Sequence, residues 1–331
     1  MTRAISRPGH FPKLLFCFLA VPFCLPAQAW LFPKGEGTVS FSYQDLYIRD
    51  HIFPKGEIVD VGHILSHGLI LNVDYSLTDS LALSVGLPYI AANYSGPRPH
   101  QLPIDNGKYH PTFQDFRIDF RYNLSKRPAV ITPFFEVVIP SHDYEYFAHS
   151  AVGRRLHEYH VGTNVGRRLN PILPNAYVQA RYSYSFIERV LDISPNRSEA
   201  EVQLGYFLTK RLSVLGLGEW MHVHRGIDHT YGIPVYQSQY GPFNPTDWTP
   251  EQWHHHDQIL RTTLLDVGGG MELAVNKSVQ VFASALHSAY GRNGPLHAAV
   301  VTVGISWSFS TRFAARGAFS AGRVDPGNFV R

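Results

Sequence analysis

Between residues 38 and 309 the chain repeats one local pattern: about ten residues in which apolar and polar side chains alternate, followed by a turn. Successive side chains of an extended strand point to opposite faces, so each stretch describes a two-faced strand. Leu81, Leu83, Val85, Leu87 and Tyr89 share one face, with Ala82, Ser84 and Gly86 on the other. Near the far end, Ala299, Val301, Val303, Ile305, Trp307 and Phe309 alternate with Val300, Thr302, Gly304, Ser306 and Ser308. Over 113–124, Phe116, Ile118, Phe120, Tyr122 and Leu124 oppose Asp115, Arg117, Asp119, Arg121 and Asn123. A soluble sheet with one wet face alternates in the same way. In a membrane barrel the sense is inverted, with the apolar face toward lipid and the charged face toward the lumen.

The connections separate these two solutions. Strands are predicted near 38–49, 66–77, 81–94, 113–124, 129–140, 157–169, 176–187, 199–208, 212–224, 260–275, 278–290 and 297–309. Thr78-Asp79-Ser80, Ser125 to Pro128, Asn170 to Asn175, Thr209-Lys210-Arg211 and Asn276-Lys277 are short links. They alternate with 50–65, 95–112, 141–156 and 225–259, which are long, and with 188–198 and 291–296. A sandwich has no reason to sort its loops by parity, whereas outer-membrane barrels join strands by short periplasmic turns and longer outer loops. The expected fold is therefore all-β: a transmembrane antiparallel up-and-down β-barrel of about twelve strands, within a range of about ten to fourteen. Tyr47, Tyr89, Tyr94, Tyr122, Tyr182, Tyr184, Tyr290 and Trp307 fall near strand ends, where aromatic rings with a polar tip suit a membrane interface.

Composition and the N-terminus agree. Charged residues are 17% and aromatics 13% of the chain, which suits packed strands and not a disordered segment. A net charge of +3, spread evenly, argues against nucleic acid as a partner. Arg3, Arg7 and Lys13 precede the apolar run Leu14 to Leu25, and Ala27-Gln28-Ala29 follows. That order reads as a cleaved secretory signal peptide over 1–29, with the barrel over 30–309. Both cysteines, Cys17 and Cys24, fall in the leader, so the exported chain would carry no disulfide. Residues 310–331, with Arg312, Arg316, Arg323 and Arg331 against Asp325, read as a basic tail or a further strand. The expected location is the outer membrane of a Gram-negative cell. Expected partners are outer-membrane lipid, the outer-membrane assembly machinery and a small-molecule solute.

Three groups of residues could carry chemistry. The inward face of the proposed strands collects Asp115, Arg117, Asp119, Arg121, Glu136, Glu158, His160, Arg168, Arg181, Glu201, Asp266 and Glu272. They would either fill the lumen as an ion-pair network or form a constriction that selects solute. The second group is histidine-rich: His222, His224, His229 and His254-His255-His256-Asp257. Imidazole and carboxylate ligate zinc or copper, and His222, His224, His254, His256 and Asp257 are the metal candidates, weighed against a solvated loop. The third is His149-Ser150, a base beside a hydroxyl, as in barrels that hydrolyse lipid at their outer wall. Adjacent residues of a strand point to opposite faces, which speaks against it. No cofactor motif is present: Gly268-Gly269-Gly270 lacks the Lys-Ser/Thr of a phosphate loop.

The stretch Tyr75 to Tyr89, a strand, a tight Thr-Asp turn and an alternating strand ending Leu-Pro-Tyr, resembles the outer-membrane family named for meta-pathway phenol degradation. Phe134 to Ser141, and Gly162 and Gly166 after it, are similar to a later strand of that family. The basic stretch after Phe309 departs from its usual aromatic C-terminus. The resemblance implies uptake or passive diffusion of small hydrophobic or aromatic molecules. A structural or surface-binding barrel with a plugged lumen is the second reading, and an outer-membrane lipid hydrolase the third.

Overall fold

The computed structural model describes residues 29–97, 99–228 and 248–311. The predicted leader, apart from Ala29, and the tail from residue 312 onward lie outside the described residues, as do His229 and the middle of the long loop.

Strands β1 (Glu36–Ile52), β2 (Ile58–Ser76) and β3 (Leu81–Ser95) open the barrel. The short β4 (His110–Phe113) and β5 (Phe116–Tyr122) follow, then β6 (Val130–Ile139), β7 (Glu158–Arg168) and β8 (Ala176–Ile187). After β9 (Arg197–Phe207) and β10 (Leu212–Val223) comes one helix, α1 (Pro250–Ile259). The wall is completed by β11 (Thr263–Ala274), β12 (Val279–Arg292) and β13 (Gly294–Ser310). All pairings are antiparallel between neighbours, and β13 closes on β1 at Glu36 and Ser310.

β4 and β5 both pair with β3, so the thirteen strands make a closed barrel of twelve staves. The break between them has a local cause. Pro88 of β3 accepts a hydrogen bond from Gln114 N (3.0 Å) but has no N–H to return. The ladder is interrupted opposite it, and Asp115 leaves the register.

At one end the turns are short and share one device. Thr78 Oγ1 accepts from the N–H groups of Ser80 and Leu81, and Thr209 Oγ1 from those of Arg211 and Leu212. Asn276 Oδ1 does the same for Ser278 and Val279. A side chain that bonds its own backbone two and three residues on ends a strand without help from the rest of the fold.

The other end differs from expectation in two places. The predicted loop 50–65 shrinks to 53–57, because β1 and β2 continue pairing to Ile52 and Ile58 past a bulge at Ile48/Asp50. The predicted loop 291–296 shrinks to Asn293, which takes a positive φ of 55° that asparagine tolerates. Strands of 17 and 19 residues exceed the nine to eleven, roughly, that a tilted strand needs to cross a bilayer, so this side of the wall rises above it.

The two faces of the wall settle the sense of the alternation. Phe41, Phe120, Leu204, Met271, Ile305 and Trp307 are exposed, Met271 at 54% and Trp307 at 61%. Asp119, Arg121 and Glu136 on the same strands or their neighbours are 7%, 3% and 6% exposed. Soluble proteins do not present a continuous apolar belt around a buried ionic interior. Tyr94 is a correction to the expected interface aromatics. It lies on the inward parity of β3, 1% exposed, with its hydroxyl donating to Val61 O (2.7 Å). Gly62 makes this possible: at φ 107° it passes so close that a Cβ would stand 2.8 Å from the Tyr94 ring. Tyr94 joins Leu46, Ile48, Ile64, Leu286 and Val300 in an apolar core inside the barrel.

Candidate functional site: the lumen

Three layers fill the interior. Nearest the short turns is a cavity of about 350 Å³, which rises along the inward residues Thr38, Ser40, Ser42 and Gln44 of β1. Trp30, Tyr177, Phe207 and Phe282 line it among amides and hydroxyls, and it stops below the apolar core at Leu46. The N-terminal segment crosses its mouth: Ala29 is fully buried, its carbonyl accepts from Thr132 Oγ1 (2.6 Å), and Trp30 packs edge-on against Tyr177 (5.9 Å).

Beside and above the cavity, in front of β5 to β9, lies a chain of ion pairs. Arg121 contacts Asp74 (2.5 Å) and Asp119 (3.9 Å). Arg181 bridges Asp119 (3.3 Å) and Glu136 (3.0 Å), with its guanidinium over the Phe134 ring. Glu136 also meets Arg117 (3.5 Å) and His160 (4.0 Å). His160 continues to Glu158 (2.9 Å) and Glu199 (3.3 Å), and Arg197 ties those two carboxylates at 2.7 and 2.8 Å. Each charge is enclosed, and each has a partner of opposite sign, the condition under which a low-dielectric interior tolerates it.

The structure thus brings together seven of the predicted inward residues: Arg117, Asp119, Arg121, Glu136, Glu158, His160 and Arg181. It sets the other five apart. Asp115 sits in the break between β4 and β5 and accepts from Tyr144 OH (2.5 Å). Arg168 and Glu272 line the cavity, Arg168 near the Phe207 ring and Glu272 accepting from Ser213 Oγ (3.3 Å). Asp266 pairs with His297 (2.6 Å) on the opposite wall. Glu201 stands in register between Arg181 and Glu219. Asp74, Glu199 and Glu219 share the inward parity and were legible by the same alternation. Arg197 was missed because the prediction placed it in a loop.

Among the described residues, the outer end is closed by parts of three connections: 96–97 with 99–109, 140–157, and 224–228 with 248–262. Asp105 organises two of them: it accepts from His100 N (2.8 Å), His149 N (3.0 Å), Ser150 N (3.0 Å) and Ser150 Oγ (2.8 Å). Gln258 of α1 donates to Arg154 O (2.7 Å) and ties in the third. α1 itself is started by a capping box between Thr249 and Gln252 with Pro250 at its first turn. Tyr144 and Val152 pack on Ile90 and Ala92 of the inner wall.

This arrangement corrects the reading of His149-Ser150. The pair lies in the plug, not on a strand at the lipid-facing wall. Ser150 is 1% exposed and committed to Asp105, while His149 stacks on Tyr94 (4.4 Å) and His100 (3.7 Å). Burial pushes the His149 imidazole well below its ordinary value.

The histidine-rich candidates also separate. His222 near the end of β10 and His224 just after it are bonded to Thr263 Oγ1 and Ser198 Oγ (2.8 Å each). His254 and His255 pack against Phe147 and Tyr146. Among the described residues of this group, His256 and Asp257 meet His100, a residue the sequence did not single out. Burial lowers His256 to about 4, and burial would raise Asp257 but His256 and His100 hold it below the usual carboxylate range.

No family model and no curated protein matches the sequence. Solved structures do match. The COG4313 outer membrane channel from Pseudomonas putida F1 superimposes with a TM-score of 0.65 over 86% of this chain and 99% of its own, at 12% identity. The translocator domain of the autotransporter NalP from Neisseria meningitidis (11% identity, 84% and 90% covered, TM-score 0.46) is more distant. So is the NanC porin (7% identity, 82% and 98% covered, TM-score 0.45). At such identities the likeness is one of fold, a closed antiparallel β-barrel of twelve staves.

Proposed function

We propose that this chain is an outer-membrane uptake channel for small molecules, seen with its outer mouth shut. The observation that carries the reading is what does the shutting. The wall encloses a cavity of about 350 Å³ reached from the short-turn side and bounded above by the apolar core at Leu46, and the outer end beyond it is stopped by loop segments held through a handful of hydrogen bonds. Loops on a rigid barrel can move while the wall stays intact. The aromatic lining of Trp30, Tyr177, Phe207 and Phe282, and the resemblance of 75–89 to the phenol-degradation family, support small hydrophobic or aromatic solutes.

The experiment is solute uptake and conductance of the reconstituted chain, native and Asp105→Asn. The substitution removes the charge that four donors converge on. Native protein is expected to conduct little, and Asp105→Asn to conduct several-fold more. Baseline conductance and no solute uptake in both would favour the second reading, a plugged structural or surface-binding barrel. That reading is supported by the ion-pair chain, which fills much of the lumen independently of the loops.

A further inference from the structure

Within the plug, one group of side chains is not explained by closing the mouth. His100, on the connection after β3, meets His256 and Asp257, at the end of α1, although 157 positions separate His100 from Asp257 in the chain. One donor atom from each lies within 4.8 Å of the others. His100 Nδ1 and Asp257 Oδ2 are both buried atoms without a hydrogen-bond partner, yet they stand 3.3 Å apart. His256 Nε2 stands 3.2 Å from the other oxygen, Asp257 Oδ1.

The tautomer of His256 sharpens the point. Its Nδ1 lies 2.6 Å from Trp253 O. A carbonyl can only accept, so Nδ1 carries a hydrogen, and Nε2 is the ring atom left to face the carboxylate oxygen. An N–H donated to a backbone carbonyl is also how metal-binding histidines are oriented. The spacing fits. Ligands about 2.0–2.1 Å from a tetrahedral zinc lie roughly 3.3 Å from one another. The two short distances are of that size, one to each carboxylate oxygen of Asp257, and one ligand atom from each of the three residues lies within 4.8 Å of the others. Trp253 stacks on His256 (4.5 Å) and Phe147 on His100 (5.2 Å), so the rings are held on their outer sides. Asp257, a third exposed at its side chain, is the side from which an ion and a water would enter.

We propose that His100, His256 and Asp257 form a binding site for a divalent transition-metal ion of zinc's coordination chemistry. Such an ion fastens α1 to the 96–109 segment and so locks two of the three plug connections together. His149 stacks on His100, and His51 lies edge-on to His149 (6.3 Å), so two further imidazoles adjoin the site on the His100 side.

The test is zinc binding by the full chain in detergent, stripped with chelator and titrated against a chromophoric competitor. One saturable zinc per barrel is expected. Even partners beyond the ligands are worth roughly ten- to a hundredfold in affinity, so His256→Ala should weaken binding by at least about a hundredfold. Asp257→Asn, which keeps the side-chain shape, should do the same and serves if His256→Ala fails to fold. The variants His254→Ala/His255→Ala and His222→Ala/His224→Ala should bind as the native chain does. No saturable zinc at micromolar concentration overturns the proposal. So does native-like binding by Asp257→Asn, or loss of binding in either control pair. The readout is metal uptake alone, so a barrel that never conducts leaves this test standing.

Discussion

Arg181→Met is the most informative single change in the lumen. Arg181 holds Asp119 at 3.3 Å and Glu136 at 3.0 Å, and Glu201 lies beside it in register. Methionine keeps most of the stem's length and removes the guanidinium, with its charge, from over the Phe134 ring. At an effective dielectric constant near 20, each of the two close pairs is worth about 5 kcal/mol of attraction. Desolvation of the guanidinium offsets much of that, and breaking a buried pair from one side typically costs about 3–5 kcal/mol. The lower end applies here, because Asp119 keeps Arg121 at 3.9 Å and Glu136 keeps Arg117 at 3.5 Å. The expected loss is therefore about 3 kcal/mol, measured by reversible urea unfolding in detergent or lipid with tryptophan fluorescence. Adding Asp119→Asn should recover part of it, since Arg121 retains Asp74 at 2.5 Å and no cation is stranded. A coupling between the two sites of about 1–2 kcal/mol is expected from the double-mutant cycle. A cost below about 1 kcal/mol for Arg181→Met, or strict additivity of the two changes, would refute the claim that this layer acts as one paired network.

Arg117→Ala removes the most exposed cation of the network, whose contact to Glu136 is the longer one at 3.5 Å. It should raise conductance in planar bilayers with little loss of stability if the layer constricts a pathway, and identical traces would remove Arg117 from that role. Tyr94→Phe strands the Val61 carbonyl inside the barrel. A loss of about 1–3 kcal/mol in urea unfolding is expected, against no change if water reaches that carbonyl.

How much was legible beforehand follows from the range of the forces involved. Strand alternation is a property of neighbouring residues, so the staves could be placed to within about three positions except at the start of β2, which begins eight residues before the expected 66, and β8 falls on 176–187 as expected. Turn chemistry is equally local: Thr78, Thr209 and Asn276 each close a turn through their own backbone. Inward parity could be read for the same reason, and it put Arg117, Asp119, Arg121 and Arg181 on one side of the wall. The sequence could not show that Asp115 would leave that row, because the cause is a missing N–H on Pro88, one strand away in space.

What only the tertiary structure decided is everything that depends on which loops meet. Asp105 gathers His100, His149 and Ser150 from two connections, and His100 reaches His256 and Asp257 from opposite halves of the chain. Residues in irregular segments have no period from which a direction can be inferred, and their partners are set by the closed wall around them. The chain's own pattern therefore determined a barrel with a greasy outside and an ionic inside. Folding the loops into that fixed interior decided where it is shut and which histidines come together.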